Sequence, residues 1–266
     1  MTLKYLILAT TAISLCACSH TTQYTSGQDY LNRYDKGAVT LAGHNGSIEA
    51  DVRNIAAVEP DLQFPARIGL ARIERGKLIS VPQDESEAWT TLHKRLGPSF
   101  GDFVPVSPLI TSMVSKAGHK TPNARTVVDN IRRGSARQHL DYVLIYEVTD
   151  TSDKTRNALQ VADLSILGLF ILPSRNIKVD STATAMLIDV RNGYPYGTGT
   201  AFAERKAVTT SVGSRGRKAK LKNKARVIAV ENLTDDVEDF MFELRDIAAE
   251  KYAEYRHSLS CSEHHD

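Results

Sequence analysis

Cysteine is scarce in this chain, with three among 266 residues. Cys16 and Cys18 lie two positions apart near the start, and Cys261 is close to the end. That spacing supplies no paired framework, so a disulfide-stapled scaffold is excluded. Long apolar runs are also lacking. After the first 15 residues none reaches the ~18 that a membrane-spanning helix needs. Tryptophan occurs once, at Trp89, and the net charge of +2 is too small to name a partner. The chain has no Gly-x-Ser-x-Gly elbow, no His-Glu-x-x-His and no cysteine with a convincing histidine partner. These gaps remove the familiar nucleophile and zinc-hydrolase signatures. They leave open an enzyme whose groups converge from distant positions, with Asp141, Glu147, Asp180 and Asp189 as the candidate acids.

The remaining composition is that of a globular protein, with 42% hydrophobic and 24% charged residues. The length suits one large domain or two small ones.

The start of the chain carries the most specific signal. Lys4 gives a short positive region, and Tyr5 to Leu15 is an apolar core of roughly a dozen residues, too short to span a bilayer. Leu15-Cys16-Ala17-Cys18 then places a large apolar residue three before a cysteine and a small one directly before it. This pattern resembles the bacterial lipoprotein box. The resemblance implies removal of residues 1–17 as a signal peptide and acylation of Cys18, with an ordinary cleavable signal peptide as the alternative. Several acyl chains hold a protein stably, because each buried methylene adds about 0.8 kcal/mol of membrane affinity. Ser19 stands where an aspartate would retain a lipoprotein in the inner membrane, so the resemblance implies the outer membrane.

Residues 18–62 read as a lipidated, largely polar tether, most clearly over His20 to Gly27, with a strand-like alternation within Gly37 to Val58 that can pack on the domain edge. A domain is expected over 63–255, with a polar tail over 256–266. Its elements follow from pattern. Ala66 to Ile73 is a buried strand and Leu78 to Val81 a short extension. Asp84 and Glu87 suggest a capping box for a helix that buries Ala88, Trp89, Leu92 and Leu96 and stops at Gly97. Phe103 to Val106 is a second short strand. Thr121-Pro122 opens a helix with Val127, Val128 and Ile131 on its inner face. Tyr142 to Val148 is the central-strand candidate. Asn157 to Leu172 is apolar without a clear period, and can be core, an exposed patch or a membrane-touching segment. Ile177 to Val190, Asn192-Gly193 and Tyr196 to Ala203 predict an antiparallel hairpin. Thr234 caps a last helix that buries Val237, Met241, Leu244 and Ile247. The fold class is α/β (α+β): one domain, a mixed sheet, helices mainly on one face, a late hairpin and a C-terminal helix.

Three of these stretches carry a resemblance: Leu140 to Ile145, Leu167 to Pro173 and Ala185 to Gly193. Together they look like the rhombotarget lipoproteins. They are more loosely similar to the curli-export (CsgG-like) lipoproteins and to the TolB amino-terminal domain. The resemblance implies an envelope lipoprotein that acts through its surfaces, without assigned catalytic residues.

The sharpest charge feature is a basic run. From Arg205 to Val230 there is no acidic residue, and Arg215, Arg217, Lys218, Lys220, Lys222, Lys224 and Arg226 cluster within it. In a Ser/Gly-rich context it reads as a mobile loop that contacts an anionic lipid or an acidic protein face, or as a plainly solvated loop. Nucleic acid is disfavoured by the export signal. Gly197-Thr198-Gly199-Thr200 lacks a following lysine and reads as a strand whose glycines mark a bulge or a close backbone approach. His257, Cys261, His264 and His265 crowd the end with a spacing that suits a metal, or form a frayed tail. No cofactor or metal is expected. The sequence therefore points to a non-enzymatic binding or assembly factor, anchored in the outer membrane and facing the periplasm. An envelope hydrolase, a sugar-binding enzyme and an oligomeric export channel are the alternatives, and the oligomeric state is open.

Overall fold

The computed structural model describes residues 19–35, 48–115, 123–150, 181–204 and 214–262. Its centre is β5 (Tyr142–Asp150), a run of β-branched, aromatic and aliphatic residues buried over its first seven positions. A strand buried on both faces must pair on both edges and be covered above and below. It pairs in parallel with β2 (Ala66–Glu74) and antiparallel with β6 (Ser181–Asp189). On the far side of β2, β4 (Gly101–Pro105) pairs with its first half in parallel and β3 (Lys77–Ile79) with its second half antiparallel. Beyond β6 lies β7 (Pro195–Ala203), joined by the predicted hairpin. The outer strand is β1 (Ser19–Thr22), antiparallel to β7. The result is a single α/β domain with a seven-stranded mixed sheet.

The hairpin forms for the expected reason, and Asp189 adds to it. Gly193 takes a positive φ of 82°, which an L side chain avoids. The Asp189 carboxylate accepts the backbone N–H groups of Arg191 (2.7 Å) and Asn192 (3.2 Å). The Leu187 to Ile188 step opposes Gly197 and then Pro195, so Tyr196 is the extra residue of a β-bulge.

One face of the sheet is covered by α3 (Gln83–Leu96) and by the last helix, α6 (Ser214–Ser262). Alternate residues of β5, Tyr142, Leu144, Tyr146 and Val148, point to this face. Helix α6 presents Ala229, Val230, Leu233, Val237, Phe240, Met241 and Leu244, all buried, at three- and four-residue spacing. Each buried Leu, Val or Phe contributes about 1.5–3 kcal/mol. Gly197 and Gly199 let the helix approach: a Cβ on Gly197 would sit 3.0 Å from the Phe240 ring.

The other face is closed by Val127 and Ile131 of α5 (Ala124–Arg137) against Ala71, Ile73, Val143 and Ile145. Helix α4 (Pro108–Val114) lies on α5 at Gly134. The weighting of helix towards one face thus comes from α3 and α6, while α5 adds cover on the second face that the alternation had not disclosed.

Several boundaries differ from the sequence expectations. The tether expected over residues 18–62 is built into the body from Ser19 onward: it supplies β1, α1 (Gly27–Asp35) and α2 (Ile48–Ala56). Helix α6 begins at Ser214 rather than at Thr234 and continues to Ser262, so the described part of the polar tail is helical. Thr234 sits inside it and donates its hydroxyl to the Glu231 carbonyl at 2.7 Å, a local bond open to a mid-helix threonine. The Asp84–Glu87 capping box expected for α3 does not form: the N-cap position is Pro82, which has no side-chain acceptor, and Asp84 lies inside the first turn. Helix α5 is capped by Asn123, whose Oδ1 accepts the Thr126 N–H at 2.8 Å. Thr121-Pro122, Asn157 to Leu172, Ile177 to Asp180 and Cys18 lie outside the described residues.

The α4–α5 contact gives the first prediction. A Cβ on Gly134 would lie 2.0 Å from Thr111 Oγ1. Gly134→Val is expected to lower stability by about 1–3 kcal/mol, read from urea unfolding.

Candidate functional site

The buried charges come first, because their partners decide whether they are free for chemistry. Arg72 sits in β2 at 0% exposure among apolar neighbours. A buried guanidinium needs a counter-charge and acceptors. Its Nε donates to Glu85 Oε2 at 2.9 Å, and its Nη1 donates to the Ile73 carbonyl. The Tyr146 hydroxyl donates to the same Glu85 oxygen at 2.9 Å. The Trp89 ring packs against Tyr146 with its plane tilted by 52° and centroids 4.7 Å apart. Burial, with the Glu85 charge next, drives the Tyr146 phenol far above its usual value. This closed cluster joins α3 to the sheet, and it uses the single tryptophan as a core anchor.

A second cluster stands at the end of the sheet marked by Asp189. Asp189 is fully buried, and its Oδ2 accepts from Arg191 Nη2 at 3.0 Å and from the Tyr196 hydroxyl at 3.4 Å. The hydrogen bond to Asp189 raises the Arg191 guanidinium further above its ordinary value. Around this pair the phenols of Tyr142, Tyr194 and Tyr196 hold the amino-terminal segments by their backbones. Tyr142 donates to the Asp61 carbonyl (2.9 Å) and accepts the Gln63 N–H (2.8 Å). Tyr194 donates to the Thr25 carbonyl and accepts the Thr25 N–H, both at 2.9 Å. Tyr196 accepts the Asp61 N–H at 2.8 Å. The Glu59 carboxylate then accepts the Gln28 N–H at the start of α1 (2.7 Å). This network is why 19–35 and 48–63 are docked rather than free. No local pattern announces it, since the tyrosines belong to strands late in the chain.

Next to this cluster is an open groove of about 1240 Å³. Helices α1 and α2 form one wall, with Tyr30, Arg33, Val52 and Ile55. Val128, Arg125 and Arg132 of α5 form the other, over a floor of Met186 and Ile188. Arg132 is engaged with the hairpin, donating to the carbonyls of Val190 (3.3 Å) and Arg191 (3.1 Å). Arg33 and Arg125 are exposed. On α2, Ile48, Val52 and Ile55 are 74%, 54% and 69% exposed at i, i+4 and i+7 spacing, and Val52 and Ile55 of this apolar stripe line the groove.

The basic run is helical rather than a loop from Ser214 onward. Lys, Arg and Ala are good helix formers, and this stretch continues into the buried stripe of α6. Lys222 pairs with Asp150 at 3.0 Å and Arg226 with Glu74 at 3.4 Å. Lys220 and Lys224 are exposed, one turn apart. Arg215, Arg217 and Lys218 lie in the first turn and a half of the helix, and their side chains are outside the described set. The sequence-derived anionic site is therefore one helix end, with two of its members in internal ion pairs.

The candidate acids separate. Asp189 and Glu147 are buried, and Asp141 accepts the Arg67 N–H at 2.8 Å. Asp180 is outside the described residues, as are the side chains of His257 and Cys261 and the whole of His264 and His265. Among the described residues no three His, Cys, Asp or Glu side chains converge to hold a metal, and no helix is long and apolar enough to cross a membrane.

Two predictions test these clusters. Arg72→Met alone is expected to cost about 3–5 kcal/mol in urea unfolding, because it strands a buried Glu85. Adding Glu85→Leu and Tyr146→Phe is expected to recover most of that loss. The phenols predict alkaline sensitivity. Burial raises Tyr142 to about 12 and lifts Tyr194, Tyr196 and Tyr146 above the ordinary 10.0. The unfolded chain loses these protons first, so stability is intact below pH about 10 and falls towards pH about 12. Urea midpoints across that window, with phenolate absorbance recorded alongside, measure it.

No family model matches the chain, and no curated protein matches it. Among solved structures it is similar to the PelC dodecamer from Paraburkholderia phytofirmans, at 15% identity and a TM-score of 0.26, covering 65% of this chain and 91% of that one. A point variant of the same dodecamer matches at the same identity and TM-score, with 93% of its chain covered.

Proposed function

We propose that this protein is an envelope lipoprotein, fastened to the outer membrane through an acylated Cys18, that acts as a non-enzymatic binding or assembly factor facing the periplasm. The observation that carries the reading is the docking of the residue that follows the expected acylation site. Ser19 is a sheet residue, paired with Thr200, so an acylated Cys18 would be coupled directly to the body.

The surfaces agree with binding more than with turnover. Glu85 and Asp189, both deeply buried, are engaged in holding helices and turns. The groove is wide, and its lining mixes apolar residues with arginines, the character of a docking surface. It is the face on which a periplasmic partner would dock.

The experiment is metabolic labelling with a palmitate analogue in cells that carry the full chain or its Cys18→Ser variant, followed by membrane fractionation. Label and outer-membrane recovery are expected for the parent and loss of both for the variant. A parent recovered unlabelled in the cytosol would end this reading.

A further inference from the structure

We propose that the Asp150 end of the sheet rests on the anionic phospholipid headgroups of the leaflet that holds the anchor, through Lys220 and Lys224 of α6. The inference rests on the reading of Cys18 as acylated and adds a direction to it.

Strand register fixes which end meets the bilayer. The last rung at one end joins Asp150, Ser181 and Ala203. Ser19 pairs with Thr200, which pairs with Thr184, which pairs with Glu147. Ser19 therefore stands three rungs short of that last rung, and β1 read backwards climbs towards it. Three rungs are about 10 Å and the three strand spacings from β1 to β5 about 14 Å. The anchor thus leaves the sheet on the Asp150 side, within roughly 20 Å of Asp150.

Helix α6 starts on the same side. Asn232 donates to the Phe202 carbonyl at 3.0 Å, and Phe240 packs at Gly197, so the helix runs from the Asp150 end to the Asp189 end. Lys222 reaches Asp150 itself. The helical residues before it, 214–221, extend about 12 Å past that point. Within this end Lys222, Asn223 and Arg226 are bound to Asp150, Asp84 and Glu74. Lys220 and Lys224 are exposed, share one helix face, and make no ion pair among the described residues. No acidic side chain occurs between residues 205 and 230 to neutralise them. A lipid surface held at this distance by the anchor is at high effective concentration, and each lysine near an anionic leaflet adds about fivefold to the association. The groove, from Met186 to Tyr194 and Pro195, lies towards the opposite end of the sheet.

The test uses the acylated full chain in a Cys261→Ser background, reconstituted in phosphatidylcholine vesicles with or without phosphatidylglycerol. A fluorophore is placed by Lys220→Cys, Lys224→Cys or, on the groove, Arg125→Cys, and quenched by headgroup nitroxides. Strong quenching at 220 and 224 that requires phosphatidylglycerol and fades with salt is expected, with little at 125. The pair Lys220→Glu and Lys224→Glu, read by a probe at Asn223→Cys, is expected to reduce the phosphatidylglycerol dependence about tenfold or more while acylation persists. Equal quenching at all sites, indifference to phosphatidylglycerol, or in-cell crosslinking from 220 and 224 to a protein instead of phospholipid overturns the proposal. Loss of palmitate label at Cys18 defeats the anchored reading itself, whereas intact label with distant 220 and 224 defeats only the orientation.

Discussion

A sheet edge leaves a row of backbone donors and acceptors without partners, and β7 meets that demand with four residues from the far end of the chain. The β1–β7 pairing is the constraint on which the rest of the architecture turns. It is short, which blunts the new edge it creates. By itself it is too short to persist against the entropy of the preceding chain. The phenols of Tyr142, Tyr194 and Tyr196 supply what it lacks, each gripping a backbone segment that follows β1 or precedes β2. The amino terminus is thus held by side chains whose own positions are set by the core.

Those phenols sit beside Asp189, and the two features depend on each other. Asp189 shapes the hairpin turn and holds Arg191, which in turn reaches the Asp61 carbonyl at 3.1 Å. A buried carboxylate is tolerated only when its lone pairs are filled. Here two turn amides, one guanidinium and one phenol fill them. The Arg72–Glu85–Tyr146 cluster solves the same problem under α3. In both places a charge that would be costly alone becomes a joint between elements distant in sequence.

How far the sequence disclosed this follows from the range of each interaction. The strand at Tyr142–Asp150 and the Asn192-Gly193 turn were legible, because burial on both faces and a positive φ leave local marks. The approach of α6 to Gly197 and Gly199 was legible as well, since glycines in a strand signal a close neighbour. The docking of 19–35 and 48–63 was hidden, because polar residues there bond to tyrosines more than 70 positions away. The start of α6 was hidden for a different reason. Ser214, Gly216 and a dense run of cations look like loop, yet the helix is carried by the apolar stripe that follows. Arg72 was read as part of an apolar strand and Glu85 passed unnoticed between two supposed capping residues, although each explains the other. The groove had no signature at all, being assembled from four separate stretches.

The docking of the amino terminus changes what an anchor at Cys18 implies. A flexible tether would leave the body free to tumble, and no surface would have a fixed relation to the bilayer. With Ser19 paired to Thr200, an anchor at Cys18, as proposed, would tie the sheet's direction to that of the bilayer. The exposed lysines at the Asp150 end and the groove, whose floor begins at Met186 opposite Ile145, are then set apart by about 17 Å or more along the strands. That separation exceeds the Debye length of roughly 8 Å at physiological salt, so the cations at one end do not repel or recruit ligands at the other. On the proposed reading, a body built this way would lean on an acidic surface at its base and leave its groove, with Arg33 and Arg125, open to a partner.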